Sequence, residues 1–201
     1  MDKDQLGNLQ STCKETLQKW CEKTGENPQT SKKISLIAQI PSIKKLDTSL
    51  NICVSCEHLS LSTNQIDRII SLPGMKSLKI LSLGRNYIKR IEKLDDSQQL
   101  EQLWLSYNQI EKLDGLSQCK KLRVLYMSNN NIKDWNELIK LRELPALEEL
   151  LLLGNPIYDD YTTKEQRRLE VIKRVPKLKK LDAIIVSELE VEASQQTPEQ
   201  Q

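Results

Sequence analysis

An eleven-residue phrase recurs through this chain and constrains its fold more than any other feature. It reads L-x-x-L-x-L-x-x-N-x-I, beginning at Cys56, which stands in place of the first Leu, then at Leu78, Leu100, Leu122 and Leu147. Its Asn residues are Asn64, Asn86, Asn108, Asn130 and Asn155, at steps of 22, 22, 22 and 25 residues. A phrase this short cannot bury its own apolar face. Its fixed period therefore predicts similar coils stacked so that each covers the next.

The phrase is that of a leucine-rich repeat, and the fold class it predicts is an α/β solenoid of about six coils with a curved parallel sheet. Within each phrase L-x-L alternates with period two, as a short strand does. Leu59, Leu61, Leu81, Leu83, Leu103, Leu105, Leu125, Met127, Leu150 and Leu152 point inward. Each Asn stands where the chain leaves its strand, and its amide can bond backbone groups of its own and the neighbouring coil. Residues 32–50 form an incomplete coil in which Ile34, Leu36, Ile40, Ile43 and Leu46 follow the repeat loosely, without the Asn.

A stack of coils exposes apolar core at both ends. Leu6, Leu9, Cys13, Leu17, Trp20 and Cys21 recur at helical spacing, predicting an amphipathic helix over 6–23 that Gly25 and Pro28 end. It either caps the first coil, the reading the spacing favours, or docks a partner. The longer step holds Asp134-Trp135-Asn136-Glu137, a capping-box pattern opening a short helix to about Glu143 that Pro145 ends, with Trp135 packed on the convex side. Near the C-terminus, Thr163 with Gln166 is a second capping-box pattern, and Leu169, Ile172 and Val175 line one helical face before Pro176. The chain thus divides into a capping helix and linker (1–31), the leucine-rich repeats (32–160), a C-terminal cap (161–186) and a tail (187–201) rich in Glu, Gln, Ser, Thr and Pro that reads as disordered or only partly helical.

Charged residues are 29% of the chain and balanced to a net +2, which argues against a nucleic-acid partner. No apolar run reaches membrane-spanning length, so no membrane partner is expected. Five Cys, a polar N-terminal stretch and no secretory signal suggest a reduced, intracellular protein, monomeric on its own. Cys53-Val54-Ser55-Cys56 matches C-x-x-C, but no second Cys or His pair follows at zinc-ligand spacing. Neither metal nor cofactor is expected. The single His, His58, falls on a strand, where it reads as a surface or partner contact. Asp159 and Asp160 lack the alternating ligands of an EF-hand, and Gly84 belongs to the repeat. Catalytic activity is not expected.

Two surfaces remain as candidate sites. Alternation places His58, Ser60, Ser62, Ile80, Ser82, Gly84, Gln102, Trp104, Ser106, Val124, Tyr126, Ser128, Glu149, Leu151 and Leu153 on the open face of the sheet. The middle positions run Ser60, Ser82, Trp104, Tyr126, Leu151, from small and polar to large and apolar, and Tyr107 lies just past its strand end. Exposed Trp and Tyr in adjacent coils favour a protein-binding site formed by Ile80, Gln102, Trp104, Tyr107, Val124, Tyr126, Glu149, Leu151 and Leu153. The alternative is cross-strand packing that merely stabilises the sheet. The second surface is basic. Lys164, Arg167, Arg168, Lys173, Arg174, Lys177, Lys179 and Lys180 cluster in the C-terminal cap against Glu165, Glu170 and Asp182. That run is either a solvated helix face or a contact for an acidic partner.

The repeats resemble the 22-residue class of intracellular leucine-rich repeat proteins, which includes a phosphatase-1 regulatory subunit and the spliceosomal A-prime protein. The cap pattern Tyr161…Arg168…Val171-Ile172…Pro176-x-Leu178-x-x-Leu181-Asp182 is similar to the one they share. HLSLSTNQIDRI, LKILSLGRNYIKRIEKLD, LEQLWLSYNQIEKLDGL, LRVLYMSNNNIKDWNEL and LEELLLLGNPIYDDY resemble more closely the leucine-rich repeat light chains of axonemal outer-arm dynein. This resemblance runs from about Ile34 to Asp182 and includes Trp104 and Tyr126. It implies a non-catalytic motor subunit of the cytoplasm and ciliary axoneme. Its partner would be an outer-arm dynein heavy chain, held at the microtubule-binding domain of the stalk, so that the light chain tunes the grip on the microtubule. Under that reading the sheet face docks the stalk domain and the basic cap approaches acidic tubulin. A scaffold of an RNA–protein particle and a phosphatase regulator are the alternatives.

Overall fold

The structure, a computed structural model, describes residues 10–159, 161 and 163–196. Its spine is an eight-stranded sheet in which neighbours in sequence are neighbours in space. The strands are β1 (Lys33–Ser35), β2 (His58–Ser60), β3 (Ile80–Ser82), β4 (Gln102–Trp104), β5 (Val124–Tyr126), β6 (Glu149–Leu151), β7 (Lys180–Leu181) and β8 (Ile184–Ile185). β1 to β7 run parallel, and β8 turns back antiparallel on β7. Ile34, Leu59, Leu81, Leu103, Leu125, Leu150 and Leu181 pair in succession along the sheet, and all are buried. A slip of one residue would turn this column to solvent, so the L-x-L pattern sets the register. Two residues further on, Leu36, Leu61, Leu83, Leu105, Met127 and Leu152 form a second buried column.

The repeated Asn side chains tie coil to coil. The Asn108 amide nitrogen donates to the Leu105 carbonyl of its own coil at 2.9 Å and to the Leu83 carbonyl of the preceding coil at 3.0 Å. Its oxygen accepts from the Ile88 N–H at 3.0 Å. The same three-bond pattern recurs at Asn64, Asn86, Asn130 and Asn155. The residue before each Asn bends left-handed: Thr63, Arg85, Tyr107, Asn129 and Gly154 have φ of 58, 56, 60, 53 and 75°. At Gly154 a Cβ would stand 2.6 Å from Asn129 Oδ1, so a side chain here would have to push the Asn129 amide aside.

In the first coil Ile34, Leu36, Ile43 and Leu46 are buried as the repeat predicts, but Ile40 is 91% exposed. The turn around it departs from the repeat and leaves Ile40 in solvent. Helix α1 (Cys13–Thr24) starts later than the predicted residue 6, because Thr12 and Glu15 form a reciprocal capping box. It buries Cys13, Leu17 and Trp20, leaves Cys21 only half-buried, and ends at Gly25 with φ of 71°. Leu6 and Leu9 lie outside the described residues.

Helix α2 (Asn136–Ile139) continues as a 3₁₀ turn over Lys140–Glu143, close to the predicted extent. The capping box expected there is not what holds it. Asp134 accepts from the Asn136 N–H, but buried Glu137 points away and accepts from the Leu113 N–H of the preceding coil at 2.8 Å. That donor would otherwise be stranded, and Lys140 neutralises the carboxylate at 2.7 Å. Helix α3 (Lys164–Arg174) opens at Thr163, whose hydroxyl accepts from the Gln166 N–H. Val171, Ile172 and Val175 close the C-terminal end of the core.

The tail, expected to be disordered or partly helical, forms α4 (Glu188–Gln196), which packs on α3. Composition missed its cause, the pairing of Glu190 with Arg168. Residues 197–201, including Glu199, lie outside the described residues.

Candidate functional site

The open face of the sheet carries an aromatic shelf. Its columns are set by the register: Ile80, Gln102, Val124 and Glu149 pair in one row, and Ser82, Trp104, Tyr126 and Leu151 in the next. The Trp104 and Tyr126 rings stack at 5.8 Å with 23° between planes. Trp104 also meets the edge of His58 at 5.8 Å and 72°. His58 is on β2 and Trp104 on β4, so the contact spans β3 and roofs Ser82. Ser60 and Ser82 were expected to be open; they are 6% and 1% exposed. The step from small to large side chains along the face is thus a fit. Small residues make room for the large rings beside them.

The shelf residues Ile80, Gln102, Trp104, Val124, Tyr126, Glu149 and Leu151 are half-buried, while Tyr107 and Leu153 stand proud at 47% and 46% exposure. The left-handed turn at Tyr107 throws its ring outward, where the Arg85 guanidinium lies 4.3 Å from its centre. Tyr126 donates to Glu149 at 2.9 Å, and Lys180 pairs with the same carboxylate oxygen at 3.0 Å. Burial, then the Glu149 contact, raises the Tyr126 hydroxyl above its ordinary range. Burial and Lys33 lower the His58 imidazole, which keeps it neutral at pH 7. The Trp104 indole N–H is shielded from solvent and has no hydrogen-bond partner among the described residues. An unmatched buried donor costs about 1–3 kcal/mol, a local penalty placed in the middle of the shelf.

The basic cap is less uniform than its sequence. Lys164 is exposed and Arg167 half-exposed, with the Arg167 guanidinium 5.5 Å from the Tyr158 ring. Arg174 lies over Trp135 at 4.9 Å and pairs with Glu170, while Lys173 is half-buried. Arg168 is not a surface cation at all: it is 5% exposed. It donates to Glu190 at 2.6 Å and to the Leu181 and Ile185 carbonyls at 2.9 and 3.3 Å, fastening α4 and the β7–β8 turn to α3. The Arg168 guanidinium, joined by the Ser187 N–H, holds the Glu190 carboxyl at about 2.

A second charged feature went unread in the sequence although it was there. The residues preceding β1 to β7 are Lys32, Glu57, Lys79, Glu101, Arg123, Glu148 and Lys179, alternating in sign along the stack. Glu57 pairs with Lys32 and Lys79 at 3.3 and 2.7 Å, and Glu148 with Arg123 and Lys179 at 2.9 and 2.7 Å. Reading one column down the aligned repeats reveals it; reading along each repeat hides it.

All five cysteines are free. Burial pushes Cys53 up to about 12 and Cys13, Cys56 and Cys119 up to about 11, which keeps them as thiols. Among the described residues, no group of three His, Cys, Asp or Glu could hold a metal ion, and no helix is long and apolar enough to cross a membrane. Asp160 of the expected acidic turn lies outside the described residues.

A family model described as Leucine Rich repeats (2 copies) matches residues 98–140. Dynein axonemal light chain 1 of Homo sapiens is 54% identical over 173 residues, covering 86% of this chain and 91% of that protein. The protein of the same name from Chlamydomonas reinhardtii is 48% identical over 180 residues, covering 88% and 91%. Among solved structures, the Drosophila melanogaster SNF/U2A′ complex matches with a TM-score of 0.50 at 20% identity, covering 81% of this chain and 79% of that one. That likeness is one of fold.

Proposed function

The chain belongs to the dynein axonemal light chain 1 family, and from that premise we propose that its aromatic shelf docks the microtubule-binding stalk domain of an outer-arm dynein heavy chain. As a family member it is a non-catalytic, dynein-associated light chain of the cytoplasm and ciliary axoneme, located with the outer dynein arm. Its partner is the dynein heavy-chain complex. Docking at the stalk would let a subunit without a reaction centre alter the motor's grip on its track.

One observation carries the choice of surface: Trp104 stacked on Tyr126, with a shielded indole N–H that has no partner among the described residues. A well-packed coil does not require these rings, whereas interface hot spots favour Trp and Tyr. A small tilt of Trp104 would present its N–H to an acceptor on the stalk domain. Tyr107 and Leu153 form the exposed rim of the shelf. Lys164 and Arg167 remain available to approach acidic tubulin once the stalk is bound, with Lys173 and Arg174 beside them; Arg168 is excluded by its burial.

The test is co-precipitation of the full chain with a recombinant stalk-tip domain, alongside a Trp104→Ala/Tyr126→Ala double variant checked for folding by circular dichroism. Capture by the native chain and loss in the folded variant supports the shelf. Undiminished capture by the variant moves the interface elsewhere.

A further inference from the structure

We propose that Arg85, on the rim of the aromatic shelf, receives a carboxylate of the stalk domain. The docking segment would then carry an Asp or Glu beside the apolar side chains that cover Trp104 and Tyr126. The inference rests on the docking proposed above and names the chemistry of the segment that docks.

Arg85 follows β3 and Tyr107 follows β4, each at the left-handed turn that ends its strand, with φ of 56 and 60°. Both side chains are exposed, and the Arg85 guanidinium lies 4.3 Å from the centre of the Tyr107 ring. The ring restrains a long side chain that would otherwise sweep through solvent, so part of the ordering cost of a contact is met before the partner arrives. Arg85 pairs with no carboxylate among the described residues. The outward row between this rim and the aromatic rings is Ser62, Gly84, Ser106 and Ser128. No bulky side chain of that row separates Arg85 from Trp104, so one partner segment can reach both.

The polar demand of the open face is one-sided. On the strands, Glu149 is the one carboxylate turned to that face among the described residues, and it is already taken by the Tyr126 hydroxyl and Lys180. Two donors are left over at the shelf, the Trp104 indole N–H and the Arg85 guanidinium. A partner that covered them with apolar groups alone would desolvate both without return. A carboxylate is the acceptor that best fits the planar fork of a guanidinium.

The test measures association and dissociation rates of the full chain on an immobilised stalk-tip domain by biolayer interferometry. Melting curves verify that each variant is folded. The expected result is an affinity at least about tenfold lower in Arg85→Glu, with most of the loss in the association rate, as for other rim charges. Arg85→Gln should lose less, and its gap from the native chain should close at high salt. Arg90→Glu reverses an equal charge at an exposed position of the same coil, off the shelf, and should bind as the native chain does. The exposed Asp and Glu residues of the stalk domain are then changed to Lys one at a time. One such change should restore binding to Arg85→Glu and weaken it to the native chain. Undiminished binding by Arg85→Glu, an equal loss in Arg90→Glu, or restoration by none of the changes would overturn the contact while leaving the shelf in place. Failure of the native chain to bind would remove the docking itself, and the contact with it.

Discussion

His58 and Trp104 meet edge to face at 5.8 Å although they stand two strands apart, and Ser82 lies between them with 1% of its surface exposed. The ring therefore depends on the smallness of its neighbour. In Ser82→Leu the new side chain must displace the indole. The expected cost is about 1–3 kcal/mol of stability, as for other overpacked sites. Capture of the stalk domain should fall as well, because Trp104 no longer stacks on Tyr126 as it does here. Chemical denaturation and co-precipitation read the two effects, and full capture by a folded Ser82→Leu chain would show that this ring arrangement is not needed.

The Asn column makes a sharper prediction about stability. Asn108→Ala strands the Ile88 N–H in the core and takes one of two donors from each of the Leu83 and Leu105 carbonyls, which keep Asn86 and Asn130. About 1–3 kcal/mol should be lost. For a chain of this size that corresponds to a fall in Tm of about 2–4 °C per kcal/mol. Asn108→Asp keeps the acceptor but sets a carboxylate oxygen against the Leu83 and Leu105 carbonyls, so it should be comparably damaging.

Arg168→Ala should detach α4 from α3. The substitution removes the cation from Glu190, which keeps only Ser187, and the donor from the Leu181 and Ile185 carbonyls, at about 3 kcal/mol. Amide exchange should rise over Glu188–Gln196 and the β7–β8 turn while the central coils stay protected. Uniform exchange throughout the chain would mean that α4 and the coils unfold as one unit.

The same pair sets an acid response. The Glu190 carboxyl is lowered from 4.5 to about 2 in the folded chain. Its contribution is therefore fully present above about pH 4.5 and is lost as the pH falls toward 2, because the unfolded chain takes up the proton first. Glu190→Gln should flatten that part of the stability curve. An acid transition of identical slope in both chains would assign it to other carboxylates.

Glu148 bridges Arg123 and Lys179 on an exposed edge, and both partners hold its carboxyl below the ordinary range. Glu148→Lys would place three cations in a row along the last coils. The expected effect on melting is a small decrease that disappears at high salt, since screened surface pairs contribute little. A salt-independent loss would point to the backbone instead, whose Lys179 and Lys180 N–H groups bond the Glu148 carbonyl.

Much of the architecture was legible because a repeat repeats its physics. One alternation sets the strand, its recurrence sets the parallel register, and one Asn per turn closes each coil, so Leu59, Leu103 and Asn108 could be placed from spacing alone. The outward positions of Trp104 and Tyr126 followed from the same period. Side chains that act across coils were not legible. Composition read Arg168 as a surface cation and left the segment after residue 187 as disordered or partly helical, yet each orders the other through Glu190. Glu137 looked like a local cap and instead serves a backbone N–H one coil away. Ser82 looked open until a ring from the next strand covered it. Periodicity along the chain determines which face a residue takes, because backbone geometry is local. What that face meets depends on the neighbours that packing brings above, below and across it, and only the tertiary structure decided those.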